Sequence, residues 1–506
     1  MIKQQRIIKG GILVSIIILG IVLLVRLADE SQLIFTFPLD YINDLSAYMA
    51  QLHFLKVCGY LAFCPYWYNG FVHLSVSPPG WYFFAYPFLL LSNNVLIATY
   101  GSMILLFALA LAASLFLAKR SGLSRLNGVA FFCFVFANAI NIGDFIRLGR
   151  LHAFLVLVLA TVFMALVLPY RTRNVDLNFL WAGLVYGLMI ITHNQETVLF
   201  SLMFVSVILT RNSWKELGII LMAGGVALLA ASWWIVPLLR TLMTEKSSLL
   251  APWNFEGERL LNFSPELGLT NLVGISIGIA VLALGWILWK QKIWTKHDCL
   301  FFSPILVFAA LFLARLPAFL PVLKQISPDP YAVFFLMFAA FFLLQWMESR
   351  FINIKNAQLL AAGLVSLALV SGMTTLFITP WFAQHTSLDK EVISLFSDLQ
   401  GRFLILGPIN KTFDKSYAKA DYAFAAVYYN ASTSEGWSQP LASSDYLLRL
   451  TGFKRNFSNF SCAEFTDEVR FFNTTDLISY DDTCPFLAKC GLSLVKKTAH
   501  TCLYRI

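Results

Sequence analysis

The sequence predicts a mainly α fold: a polytopic transmembrane helical bundle of about eleven spans, amino terminus inside and carboxyl terminus outside, with a small α/β outer domain at the carboxyl end. Three observations predict it. Of the 506 residues 58% are hydrophobic and only 13% charged, a balance outside soluble usage. Apolar runs of membrane-crossing length alternate with short basic connections. Beyond about residue 379 the composition turns mixed and polar, and four cysteines crowd the last stretch.

The first run, residues 10–28, follows Lys3, Arg6 and Lys9 and is too long for a cleaved signal, whose apolar part is ~7–15 residues. It reads as an uncleaved anchor. Ten further runs follow at 94–118, 127–142, 151–169, 177–192, 195–210, 217–238, 270–290, 299–316, 331–347 and 357–378. Every second connection is basic (Lys119, Arg120 and Arg125; Arg171 and Arg173; Arg211 and Lys215; Lys290, Lys292 and Lys296; Arg350 and Lys355), which places those connections in the cytosol. The net charge of +9 is spread over these clusters and forms no single basic face, so nucleic acid is excluded as a partner and the lipid bilayer is the expected one.

Sequons offer an independent test of side. Asn262, Asn410, Asn430, Asn456, Asn459 and Asn473 each begin an N-x-Ser/Thr triplet, and all fall in segments that the charge pattern places outside. Cys462, Cys484, Cys490 and Cys502 suit two disulfides in an oxidising compartment, with three pairings open; Cys58 and Cys64 are a third candidate pair. Cys133 and Cys299 read as free thiols. The expected organisation is a membrane domain over 1–378, including a long outer loop at 29–93, and a soluble, disulfide-linked, N-glycosylated domain over 379–506 with strands at 402–406 and 492–496. An archaeal-like cell membrane and an endoplasmic reticulum membrane fit these signals equally.

Chemistry is expected on the outer side. In the long loop, Leu45, Tyr48, Met49, Leu52 and Leu55 have helical period, and a helix carrying Asp40 and Asp44 four apart would set both carboxylates on one face. Such a pair could act as a general base and ligate a divalent cation such as magnesium or manganese; the plain alternative is that Asp40 or Asn43 caps the helix. The aromatic run from Tyr66 to Phe71, with Trp67 and Asn69, could stack on a sugar or simply line the membrane interface. Asp144, Arg147, Arg150 and His152 crowd one outer connection, and His193 and Glu196 form another short and polar one. Ionisable groups at membrane depth are functional by default, and arginines there fit a phosphate; the alternative is an ion pair of Asp144 with Arg147. Arg315 is either a further phosphate ligand or a snorkelling side chain.

An amino-terminal anchor, then Asp44, Gly59, Pro65, Trp67, Gly70 and Pro78-Pro79 in the first outer loop, then many spans and an outer carboxyl domain, resemble the GT-C superfamily of membrane glycosyltransferases, in its poorly characterised archaeal and bacterial multi-span branch. The resemblance implies inverting transfer of a sugar from a polyprenyl-phosphate donor to a glycan, lipid or protein acceptor on the outer face. Asp44 would be the base and Asp40 its helper, with Arg147, Arg150 or His193 at the phosphate. Two positions differ from such proteins. Tyr48 and Met49 stand where a histidine is common, and the stretch Ser327 to Tyr331 stands where an arginine is common. These differences motivate a second reading, a non-catalytic scaffold derived from the fold. A lipid or solute transporter is a third, disfavoured by the scarcity of charges within the spans.

Overall fold

The structure is a computed structural model; it describes residues 2–34, 44–244, 257–261, 265–349, 354–378, 387–407, 422, 424–436 and 441–506. The chain divides into two compact units. One comprises Met1–Glu30, Ser102–Ile235 and Pro252–Pro380; the other comprises Ser31–Gly101, Val236–Ala251 and Trp381–Ile506.

The first unit is the membrane bundle. In chain order the helices are α1 (Ile2–Glu30), α2 (Asp44–Val57), α3 (Gly80–Ser92), α4 (Val95–Arg120), α5 (Arg125–Phe136), α6 (Ala139–Ile142), α7 (Leu151–Val167), α8 (Leu180–Ile190), α9 (Asn194–Phe200), α10 (Leu202–Leu209), α11 (Trp214–Thr244), α12 (Gly257–Leu261), α13 (Pro265–Lys290), α14 (Lys296–Leu313), α15 (Pro328–Glu348) and α16 (Ile354–Met373); α2 and α3 belong to the second unit. In the membrane unit α1 packs on α16, α13 on α15 and α14, α7 on α8, and α10 on α14. The apolar windows of α7 and α15 are 83% and 78% buried, against 28% for that of α16, so the first two form the inside of the bundle and the last faces lipid.

Among the described residues, eight helices are long and apolar enough to cross a membrane, or nine if the pair 125–136 and 139–146, bent by 52°, is one span. The sequence counts eleven. The difference lies in 177–192 and 195–210, which form two shorter apolar helices, Leu177–Ile190 and Asn194–Leu209. At 1.5 Å per residue these measure about 21 and 24 Å, short of the ~30 Å hydrocarbon core. The 52° bend has a local cause. Asn138 stops α5 and caps α6, its Oδ1 accepting from the backbone N–H of Ile140 (2.9 Å) and Asn141 (3.2 Å) while its Nδ2 donates to Val135 O (2.8 Å).

Close helix contacts rest on small residues. A Cβ built on Gly183 of α8 would lie 2.2 Å from the carbonyl oxygen of Ala223 on α11, and one on Gly187 would lie 2.7 Å from that of Ala227, a small-xxx-small seam on each helix.

The second unit is built on a five-stranded sheet. Strands β1 (Phe63–Cys64) and β2 (Phe71–Val72) form a small antiparallel pair; β3 (Arg402–Leu406), β4 (Ser432–Thr433), β5 (Asp476–Tyr480), β6 (Ser493–Lys497) and β7 (Thr501–Arg505) form the sheet in the order β4-β3-β5-β7-β6. β4, β3 and β5 run parallel, and β5, β7 and β6 antiparallel. Every residue of β3 and of β5 is buried: β3 is apolar throughout after Arg402, as suits a strand covered on both faces, whereas β5 buries Asp476 and Ser479 along with its apolar residues. Disulfides join Cys462 to Cys490 and Cys484 to Cys502, selecting one of the three pairings, and Cys58 to Cys64; Cys133 and Cys299 are free.

The aromatic part of the first loop is core of this unit, not a belt at the membrane interface. Trp67, Trp81 and Tyr82 are fully or almost fully buried. Residues 66–68 run beside β4: Trp67 bridges Thr433 in parallel, Thr433 N donates to Tyr66 O (2.8 Å) and Tyr68 N to Glu435 O (3.3 Å). The turn at Gly70 has φ +95°, and a Cβ there would meet the Phe63 ring at 2.0 Å, so only glycine fits.

Candidate active site

The bent fifth helix sets up the polar end of the membrane unit. After α6 the chain makes one π-turn, Gly143–Arg147, a widened turn of the kind found at functional positions, before α7 begins at Leu151. This turn folds Arg150 back: its N–H donates to Asp144 O (3.0 Å), and its guanidinium Nη1 lies 3.4 Å from Asp144 Oδ1 and 2.7 Å from Asp329 Oδ2. Asp144 therefore pairs with Arg150, and the guanidinium is held between two carboxylates.

Asp329 sits in the first turn of α15, whose start is Ser327-Pro328-Asp329-Pro330; proline suits the first helical position, and an acid there meets the positive end of the helix dipole. Ser327 donates through its hydroxyl to Gln195 Oε1 (3.0 Å), and Gln195 Nε2 donates to Gln325 O (3.2 Å). The short polar connection between α8 and α9 is thereby tied to the start of α15. In that connection His193 Nδ1 bonds the buried Glu196 carboxylate, and Thr197 returns its hydroxyl to His193 O (2.6 Å). Three small polar groups thus stand at helix ends: Arg150 with Asp144 and Asp329; Gln195 with Ser327 and Gln325; and His193 with Glu196, the second joined to the other two through neighbouring positions in the chain.

Arg315 follows α14 in a left-handed backbone conformation (φ 61°); its Nη1 donates to Asn271 Oδ1 (3.2 Å), and Asn271 Nδ2 donates to Arg259 O (2.8 Å). It belongs to a second small group. His152 is buried at the second position of α7. The side chain of Arg147 lies outside the described residues, although its backbone closes the π-turn.

In the second unit, α2 begins at Asp44 and ends at Val57, close to the helix read from periodicity. Asp40 lies outside the described residues, as does the side chain of Asp44, and so do Asn262 and Asn410. Trp67 is enclosed by Phe54 and Phe71, and Asn69 Nδ2 donates to Phe471 O (3.0 Å). Asn430, Asn456, Asn459 and Asn473 are exposed, as glycosylation requires. Among the described residues no group of three or more His, Cys, Asp or Glu could hold a metal ion.

Sequence reasoning passed over Asp29 and Glu30. They close α1, which packs against the π-turn. Arg26 lies 3.8 Å from Asp29 and donates to Thr375 O. Glu30 is almost fully buried, and its Oε1 has no hydrogen-bond partner among the described residues. The legible signal was an acidic pair at the end of an apolar span. Asp329 and Gln195 were also missed; Asp329 carried the signal of a Ser-Pro-Asp helix start.

No protein-family model matches the chain, and neither does any curated protein. Solved structures do match. The arabinofuranosyltransferase AftD from Mycobacteria aligns at 14% identity and TM-score 0.58 over 96% of this chain and 40% of its own. ArnT from Cupriavidus metallidurans, in the apo state, aligns at 13% and 0.55 over 96% and 97%, and the Archaeoglobus fulgidus oligosaccharyltransferase, tethered with an acceptor peptide, at 12% and 0.51 over 93% and 70%. This chain has the GT-C fold. It spans less than half the length of AftD but nearly the whole of ArnT. Within the membrane unit, Asp329 of the stretch Ser327 to Tyr331 meets Arg150 from 179 residues away in the chain.

Proposed function

We propose that the protein is a membrane glycosyltransferase that moves a sugar from a polyprenyl-phosphate donor to an acceptor on the outer face, with inversion. The observation that carries this reading is the set of ionisable and polar side chains from Arg150 to Glu196, gathered at helix ends in a GT-C fold, where isolated charges are costly unless used. In the reaction a carboxylate takes the proton of the acceptor hydroxyl, the new bond forms between that oxygen and the anomeric carbon, and the bond to the donor phosphate breaks on the opposite face, its electron pair leaving with the phosphate. Because a phosphate leaves readily, one carboxylate suffices, and a glycosidase-like acid partner is not needed. Asp44 in the first loop is the proposed base. Arg147, Arg150 and His193 are the proposed phosphate ligands, with Asp144 and Asp329 holding the Arg150 fork in place. The four exposed sequons and three disulfides support an outer or lumenal location for the second unit.

A second assignment of the base is favoured by one observation, the buried and incompletely bonded carboxylate of Glu30 beside Asp29. Rates of the purified protein with a panel of polyprenyl-phosphate hexoses and pentoses separate the two. Asp44→Asn is expected to lower turnover by about 10²-fold or more, as removal of a general base does, with Glu30→Gln close to wild type. The reverse pattern transfers the role to Glu30, and full activity in both variants refutes base catalysis from either carboxylate.

A further inference from the structure

The described part of the first loop belongs to the same compact unit as the carboxyl-terminal sheet, and one buried side chain bonds both the loop and the strand it runs beside. Arg402, the first residue of β3, is buried; its Nη1 donates to Thr433 O (3.1 Å) and its Nη2 to Pro65 O (2.7 Å). Each carbonyl lies in one of the two segments that pair: Pro65 precedes the loop residues 66–68, and Thr433 belongs to β4. A planar guanidinium can serve two carbonyls at once, whereas an ammonium serves them as a single point.

The same loop residues grip α2. Phe54 of α2 stacks on Tyr66 (centroids 5.1 Å apart, planes 4°) and meets Trp67 edge-on at 5.1 Å, with Phe71 and His73 each 6.3 Å away. His73 bonds Gly59 O (3.0 Å), and the Cys58–Cys64 disulfide closes the turn that follows α2. A chain of contacts therefore runs from β3 through Arg402 and residues 65–68 to Phe54 of α2, the helix that begins at Asp44.

We propose that the carboxyl-terminal sheet is the positioning device for the acidic helix α2, and that Arg402 is the positioning residue that locks the two together. The inference rests on the reading of Asp44 as the base. From Phe54 to Asp44 the helix is about 15 Å long, so a tilt of about 4° at the gripped end moves Asp44 by about 1 Å. Displacements of that size cost up to about 10²-fold in a step that depends on aligned reacting atoms. Arg402 acts through α2 and touches no substrate, so its loss changes turnover rather than donor binding.

The test uses the full chain in nanodiscs, with Arg402→Gln and the conservative Arg402→Lys, which carries the experiment if the first fails to fold, and with the same donor panel. Hydrogen exchange is expected to rise about tenfold at the amides of Tyr66 to Asn69 and through α2, but not in β5. On the transferase readout, kcat is expected to fall about tenfold at unchanged donor KM, with Arg402→Lys intermediate. Unchanged exchange at 66–69 overturns the lock. Raised exchange with unchanged kcat overturns the positioning role. If the wild type transfers no sugar from any donor, the glycosyltransferase reading and the catalytic role built on it both fall, and the exchange arm decides separately whether Arg402 holds α2.

Discussion

Polar side chains are buried in both units, but they are handled differently. In the membrane unit the charged ones gather at helix ends, as with the buried Glu30 and Glu196 and the half-buried Arg150 between Asp144 and Asp329, while α8 and α11 meet through glycine and alanine. In the sheet unit they lie inside the core. Asp476 is fully buried and accepts from Gln400 N (3.0 Å), Gly401 N (2.9 Å) and Arg505 Nε (2.9 Å). Lys454 and Glu435 form a buried pair, with burial pushing the Glu435 carboxyl above its ordinary range against the pull of Lys454. The solvent explains the contrast. Lipid offers an unpaired charge nothing along a span, so polarity is exported to the ends; the core of the sheet unit tolerates a charge that is fully bonded.

The contrast can be broken from either side. Lys454→Met strands the Glu435 carboxylate inside the sheet unit, and should cost it about 3–5 kcal/mol, read as a lowered unfolding midpoint with the membrane helices still folded by far-ultraviolet circular dichroism. Gly183→Ala drives a methyl into the Ala223 carbonyl and should cost the membrane unit up to about 3 kcal/mol, read by thermal unfolding in detergent with the sheet unit unaffected.

Acid should act on the sheet unit. Burial lowers the pKa of His73 from its ordinary 6.5 to about 4, so the folded state holds the ring neutral while the unfolded state takes up a proton between those values. The contribution is complete above pH 6.5 and is lost as pH falls toward 4, the loss reaching about 2 kcal/mol at pH 5; His53, also lowered by burial, acts in the same direction. Denaturant midpoints of the wild type and His73→Gln at pH 7.5 and pH 5 check this, the variant losing the His73 part of the acid sensitivity. The smallest effect is expected from Ser461→Ala, which removes the capping box with Glu464 at the start of helix Cys462–Phe471 and should cost about 1 kcal/mol, seen as local hydrogen exchange beside the Cys462–Cys490 disulfide.

Much of this architecture was legible as local pattern. The helix from Asp44 follows from its apolar period and the long spans from hydropathy, and the strand Arg402–Leu406 stands where a short alternating run is read, although all five of its residues are buried. The site was legible only by half. Arg150, His193 and Glu196 stood out as charges at membrane depth, whereas Asp329 and Gln195 matter through partners far away in the chain.

By itself the sequence determined which stretches must leave water, where sequons and cysteines cluster, and where charges crowd the span ends, because each of these depends on composition within a few turns of chain. Only the tertiary structure decided that Cys462 joins Cys490, that the first long loop completes the edge of a sheet more than three hundred residues later, and that Arg150 meets Asp329. Such pairings depend on which surfaces pack in space, and a pairing between distant segments leaves no periodic mark on either one.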